Sequence, residues 1–114
     1  MKKIIDNINE IGKDDVFAIA YAVSDGTWVS GFFNHIAFEA KVDDVVVYEG
    51  VNDGRVTRLD VVAKHYTEDN SYSTTIARFG DNEWQIRPGK AYRQTINDLV
   101  SHLETLPHHS AFEE

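Results

Sequence analysis

Val16-Phe17-Ala18-Ile19-Ala20-Tyr21-Ala22-Val23 is followed by Ser24, by Asp25-Gly26, and then by Thr27-Trp28-Val29-Ser30-Gly31-Phe32-Phe33. In the first run Phe17, Ile19, Tyr21 and Val23 share one side of an extended chain, and Val16, Ala18, Ala20 and Ala22 share the other. That is the two-residue period of a strand. Both sides are apolar, which predicts a central strand covered on both faces. The Asp-Gly pair predicts a type I′ hairpin turn, because that turn needs positive φ at both central residues. Thr27 to Phe33 then returns as the second strand, with Trp28 and Phe32 on one face. A hairpin here commits the chain to an antiparallel sheet.

The pattern continues downstream. Ile36, Phe38, Ala40 and Val42 alternate with Ala37, Glu39 and Lys41, the signature of a half-buried strand. Asp43-Asp44 breaks it, and Val45 to Gly54 reads as a glycine-punctuated surface loop. Val56 to Tyr66 is the next strand, with Leu59, Val61 and Ala63 opposite Arg58, Asp60 and Lys64. Tyr72 to Phe79 returns after a turn at residues 67–70, and Glu83 to Arg87 follows the turn at Gly80-Asp81-Asn82. From Ala91 to Leu106 the period changes. Tyr92, Ile96, Leu99, Val100, Leu103 and Leu106 form one helical stripe, ended by Pro107. Upstream, Ile4, Ile8 and Ile11 predict a short helix over residues 2–11, stopped at Gly12.

The expected fold is therefore α+β. An antiparallel meander of about five to six strands carries a short N-terminal helix and a C-terminal helix packed on one face. With 114 residues and 12.9 kDa, residues 1–114 make one domain. Residues 108–114 are expected to be a flexible tail.

Nineteen acidic against eleven basic residues give a formal charge of −8. Nucleic acid and anionic membrane both select a basic footprint, so neither is an expected partner. The excess is uneven: residues 1–53 carry −6, residues 54–93 carry +2, and residues 94–114 carry −4. The chain has no cysteine, which removes disulfides, thiolate nucleophiles and Cys-ligated metal. Polar residues interrupt the N-terminal isoleucines too early for a signal peptide, and no run reaches the roughly 18 apolar residues of a membrane span. The expected location is cytoplasmic.

Catalytic signatures are missing from the sequence. It has no Gly-x-Ser-x-Gly elbow, no paired histidines four apart on a helix, and no P-loop Lys after Gly50 and Gly54. Gly54 is expected to serve a turn at positive φ. Asp60 stands out as an acid inside a strand, most simply paired with Arg58 or Arg78 across the ladder. His108-His109, with Glu113 and Glu114, reads as adventitious, since ordering a tail around a metal costs conformational entropy. No catalytic residue, metal or cofactor is expected.

The segment from Gly31 to about Glu104 resembles a family of small proteins of unknown function found on phages and mobile elements of Gram-positive bacteria. Gly31-Phe32-Phe33, Phe38-Glu39-Ala40-Lys41-Val42, the Gly50 to Val56 stretch with Leu59, and Trp84-Gln85-Ile86-Arg87-Pro88 carry the resemblance. Residues 1–30 and the tip from Tyr66 to Ser73 lie outside it. The resemblance implies a small accessory protein and transfers no site residue.

Three readings of function follow. The first is a non-enzymatic acidic module that binds or inhibits a host protein with a basic surface, such as a defence nuclease. Its contacts would be Glu39, Asp43, Asp44, Glu49 and Asp53, with Tyr48 as aromatic anchor. The second is a small-ligand or hydrolytic pocket between the sheet and the C-terminal helix, lined by Trp28, His35, His65, Tyr66 and Trp84. The third is a homodimer joined through an exposed strand edge.

Overall fold

The computed structural model describes residues 2–3, 16–33, 36–46 and 50–113. Its six main strands are β2 (Val16–Val23), β3 (Gly26–Phe33), β4 (Ile36–Asp43), β5 (Val56–Tyr66), β6 (Ser71–Gly80) and β7 (Glu83–Ile86). A two-residue strand, β1 (Lys2–Lys3), pairs with β2 at the sheet edge. All pairings are antiparallel and the order is β1-β2-β3-β4-β5-β6-β7, an uncrossed meander. One helix, α1 (Arg93–Glu104), follows. The expected N-terminal helix over 2–11 falls mostly outside the described residues, and its first two residues are paired as strand.

The β2–β3 hairpin forms as expected, but its turn is a different one. Val23 pairs with Gly26, so Ser24 and Asp25 are the turn residues, and neither has positive φ. Gly26 already belongs to the strand. A Cβ there would run into the carbonyl of Val42 on β4, so close backbone approach is what calls for glycine. The type I′ geometry occurs instead at Asp81-Asn82, with φ of 51° and 69°, joining β6 to β7.

One face of the sheet is buried. Ala18, Ala20, Val29, Phe38, Ala40, Val42, Leu59, Val61 and Phe79 meet Ile96, Leu99, Val100 and Leu103 of α1 in a single core. At roughly 1.5–3 kcal/mol per large side chain, the α1 stripe is a principal stabiliser. The other face of β2 differs from expectation. Tyr21 is exposed and Ile19 only half-buried, so this strand is not covered on both sides by any described element.

Three bulges break the strict alternation. Between Val61 and Val62 the partner shifts from Ala77 to Thr75, leaving Ile76 extra on β6. Ile76 and Ala77 are therefore both buried. Thr57 is similarly extra on β5 and Gln85 on β7. Beyond Pro107 the chain turns back. A 3₁₀ turn, His109–Phe112, contacts β2 and β3 and buries Phe112. The segment expected to be a tail is thus folded onto the sheet through residue 112.

Candidate functional site

Two ends of the covered face carry polar or open features, and a third feature lies on the opposite face. At the C-terminal end of α1, Arg55 and Glu104 lock the β4–β5 connection to the helix. The Glu104 carboxylate accepts the Arg55 backbone N–H at 2.8 and 2.9 Å and that of Val56 at 3.1 Å. Arg55 in turn donates from Nη1 to the carbonyls of Glu104 (2.8 Å) and Leu106 (2.6 Å), and from Nε to that of Asp43 (2.7 Å). The Glu104 carbonyl is one that the helix end leaves without a partner, Leu106 follows the helix, and Asp43 ends β4. Gly54 sits against this lock with φ −105°, not the positive value expected; a Cβ would strike the Glu104 carboxylate. The left-handed residue of the loop is Asn52.

The same corner absorbs two of the predicted acidic contacts. Asp43 accepts from Lys41 Nζ (2.9 Å) and Thr57 Oγ1 (3.0 Å), and Lys41 also pairs with Asp25 (3.0 Å). Burial pulls the Lys41 pKa down, but its bonds to Asp43 and Asp25 and their charges raise it above the usual 10.5. Asp44 receives the His109 backbone N–H on Oδ1 (2.7 Å), and Oδ2 faces His109 Nδ1 and His108 Nε2 (3.3 Å). Burial pushes its carboxyl up, yet hydrogen bonds from the His109 ring and backbone and the charges of His108 and His109 bring it below 3.8. Both carboxylates therefore face inward, bonded within the chain. Glu39 is exposed on β4 and accepts from Ser30. Tyr48 and Glu49 lie outside the described residues, as does the side chain of Asp53. Among the described residues of this loop the exposed large apolar groups are Val45 and Val46, 67% and 62% exposed.

One donor atom each from Asp44, His108 and His109 lies within 4.8 Å of the others. His108 also faces Ser110 Oγ through Nδ1 (3.1 Å), so Ser110, His108 and Asp44 have the connectivity of a nucleophile, a base and an orienting carboxylate. Nδ1, however, accepts the Ser110 backbone N–H as the cap of the 3₁₀ turn. Its lone pair is committed to the backbone, and the array acts as a cap.

At the other end of α1, the sheet runs on beyond the helix and leaves a trough of about 460 Å³. The sheet contributes Ala63, His65, Tyr72, Thr74, Thr75 and Ile76 to its lining, and the segment leading into α1 contributes Gly89 and Tyr92. His65 and Tyr72 are a cross-strand pair with rings stacked at 4.7 Å. The α1 entry is built from a turn, Tyr92 N–H to Gly89 carbonyl at 3.0 Å, with no side-chain cap on the helix.

The second-reading residues do not converge. His65 alone is placed in the trough; His35 and the Tyr66 side chain lie outside the described residues. Trp84 packs edge-on against Phe79 at 5.2 Å, beside the core. Trp28 is on the opposite face, lining a depression of about 150 Å³ with Glu39, Arg58, Asp60, Arg78 and Gln85. There Asp60 pairs with Arg78 (3.6 Å), as its sequence position suggests, and is directly opposite Glu39. One Asp60 oxygen is buried without a hydrogen-bond partner. Sequence reasoning missed Tyr72 and Tyr92. Tyr92 counts as core in the helical stripe, and Tyr72 gives no signal beyond an aromatic near a strand end.

No family model, curated protein or solved structure matches this chain. Among the described residues no helix is long and apolar enough to cross a membrane.

Proposed function

We propose that this protein is a binding domain rather than an enzyme, and that the trough at the start of α1 receives a ligand with a flat, largely apolar group. The observation that supports it is the trough itself. Its volume is in the range of small-molecule sites, and its lining combines the rings of His65, Tyr72 and Tyr92 with apolar Ala63 and Ile76 and the hydroxyls of Thr74 and Thr75. Tyr72 and His65 offer a stacking surface already paired in the free protein, so little ordering cost attends binding.

A heat-stability screen against nucleosides, aromatic amino acids and aromatic-ended peptides tests this. A hit should raise the melting temperature of the parent, and Tyr72→Ser should abolish the rise. No hit, or equal stabilisation of Tyr72→Ser, would sink the trough reading.

A protein partner is the second reading, supported by the adjacent exposed valines Val45 and Val46 on a loop pinned at Asp43 and Asp44. The acidic strip contributes Glu39 and the chain's overall charge, and the inward carboxylates do not serve as contacts. The cytoplasm as its place, a host protein as its target, a homodimer as an assembly form and the accessory role implied by the resemblance all belong to this proposal. A partner captured from lysate by the parent but lost with Val46→Asp would favour it over the trough.

A further inference from the structure

We propose that Asp44, His108 and His109 form a binding site for a borderline divalent cation of the zinc type, which would fasten the C-terminal turn to the end of β4. The proposal does not depend on the trough. Its donors are one carboxylate oxygen and two imidazole nitrogens, Asp44 Oδ2, His108 Nε2 and His109 Nδ1. Such a set suits zinc, cobalt, nickel or copper, whereas calcium and magnesium need more oxygen ligands than this corner supplies.

The outer partners distinguish this cluster from a chance meeting of side chains. A histidine that ligates through one ring nitrogen must carry its proton on the other, and that N–H needs an acceptor. His109 Nε2, on the side away from Asp44, faces Glu113 Oε1 at 3.4 Å. His108 Nδ1, likewise turned away, faces Ser110 Oγ at 3.1 Å. Asp44 is oriented too, because its Oδ1 holds the His109 backbone N–H and leaves Oδ2 toward both rings. Asp44 and His109 thus each have a second contact that ligation would keep, and His108 would keep the one to Ser110 Oγ alone.

The distances are close to what coordination requires. Ligand bonds of about 2.0–2.2 Å place neighbouring donors roughly 3–3.5 Å apart. His108 Nε2 and Asp44 Oδ2 are at 3.3 Å. His109 Nδ1 is closer to that oxygen, at 2.5 Å, and must move outward by about half an ångström or more. Ligation has one local cost: a proton on His108 Nδ1 removes the acceptor of the Ser110 backbone N–H. Three protein donors leave at least one coordination position for water. Burial of Phe112 supplies what an unanchored tail lacks, since the two histidines are held in place before any ion arrives.

The test is calorimetric titration of the tag-free, full-length protein with zinc chloride at neutral pH, paired with cobalt(II) absorption spectra. One zinc ion per chain should bind, and bound cobalt should show nitrogen–oxygen coordination. His108→Gln, at a side chain 59% exposed, should weaken zinc at least about tenfold, with only a small fall in the melting temperature of the metal-free protein from the lost cap on Ser110. Glu113→Gln should weaken it by about tenfold through the outer contact, and His65→Gln should leave it unchanged. No saturable zinc binding would overturn the proposal, as would affinity equal to the parent in His108→Gln or an equal loss in His65→Gln.

Discussion

The two ends of α1 face the same sheet but are built differently. At its C-terminal end, backbone and side-chain polar groups meet in a closed set of bonds running through Arg55, Glu104, Asp43 and Lys41. At its N-terminal end, Tyr92 makes no side-chain cap, Gly89 has open space where a Cβ would stand, and the rings of His65, Tyr72 and Tyr92 stay partly or largely exposed beside the buried Ala63 and Ile76. One end spends its polar groups on holding the chain together. The other leaves ring surface uncovered, which the proposed ligand would occupy. Substitutions should therefore cost stability at the first end and binding at the second.

The largest effect should come from Glu104→Ala. Its carboxylate is the acceptor for the Arg55 and Val56 backbone N–H groups, and Val56 is fully buried. Leaving two backbone donors without partners costs about 2–6 kcal/mol, from roughly 1–3 for each, read as a lower guanidinium midpoint. Gly54→Ala should also destabilise the parent, because its new Cβ collides with the same carboxylate. In the Glu104→Ala background that collision is gone, so the two losses should be markedly less than additive. Full additivity would show that Gly54 and Glu104 act separately.

An intermediate and pH-gated effect belongs to Lys41. Its folded pKa is raised, so the folded chain holds this proton more tightly than the unfolded one. The stabilising contribution is complete below the ordinary value of 10.5 and drains as pH rises through the higher folded value. Lys41→Met should remove it, so parent and variant stability should converge above pH 10.5 after differing below it. A difference that stays constant through that range would mean the ion pairs with Asp25 and Asp43 contribute nothing beyond packing.

The contrast between the ends also explains what the sequence could and could not reveal. The meander, the helix stripe and the core face follow from two local periods, 2 and 3.6, and each residue announces its own side. Bulges are invisible to that logic. Ile76 shares burial with its neighbour Ala77 only because β6 holds an extra residue opposite β5. Glycine misleads for a related reason: Gly26 and Gly54 look like turn residues, yet both are set by what approaches them from distant strands or helices. The polar corner has no local signature at all. Asp44 and His109 are 65 positions apart, and Asp44 reads as one more surface acid until Phe112 pulls the turn back onto the sheet. His65 was legible as a site residue because a histidine in a strand is conspicuous. Tyr92 was hidden by fitting the helical stripe too well.

The smallest stability effect should be that of Tyr72→Ser, and it sharpens the contrast most. Tyr72 is 55% exposed, and its cross-strand stack with His65 is a surface pair, worth about 0.2–1 kcal/mol. Its removal should shift the guanidinium midpoint by under about 1 kcal/mol while eliminating the heat-stability response to any trough ligand. Ile76, buried in the same lining, supports the sheet in either case. A loss near that of Glu104→Ala would mean that Tyr72 acts as part of the core and that its place in the trough lining is structural. A small loss with binding abolished would separate the two ends of α1 by function as cleanly as their bonding separates them.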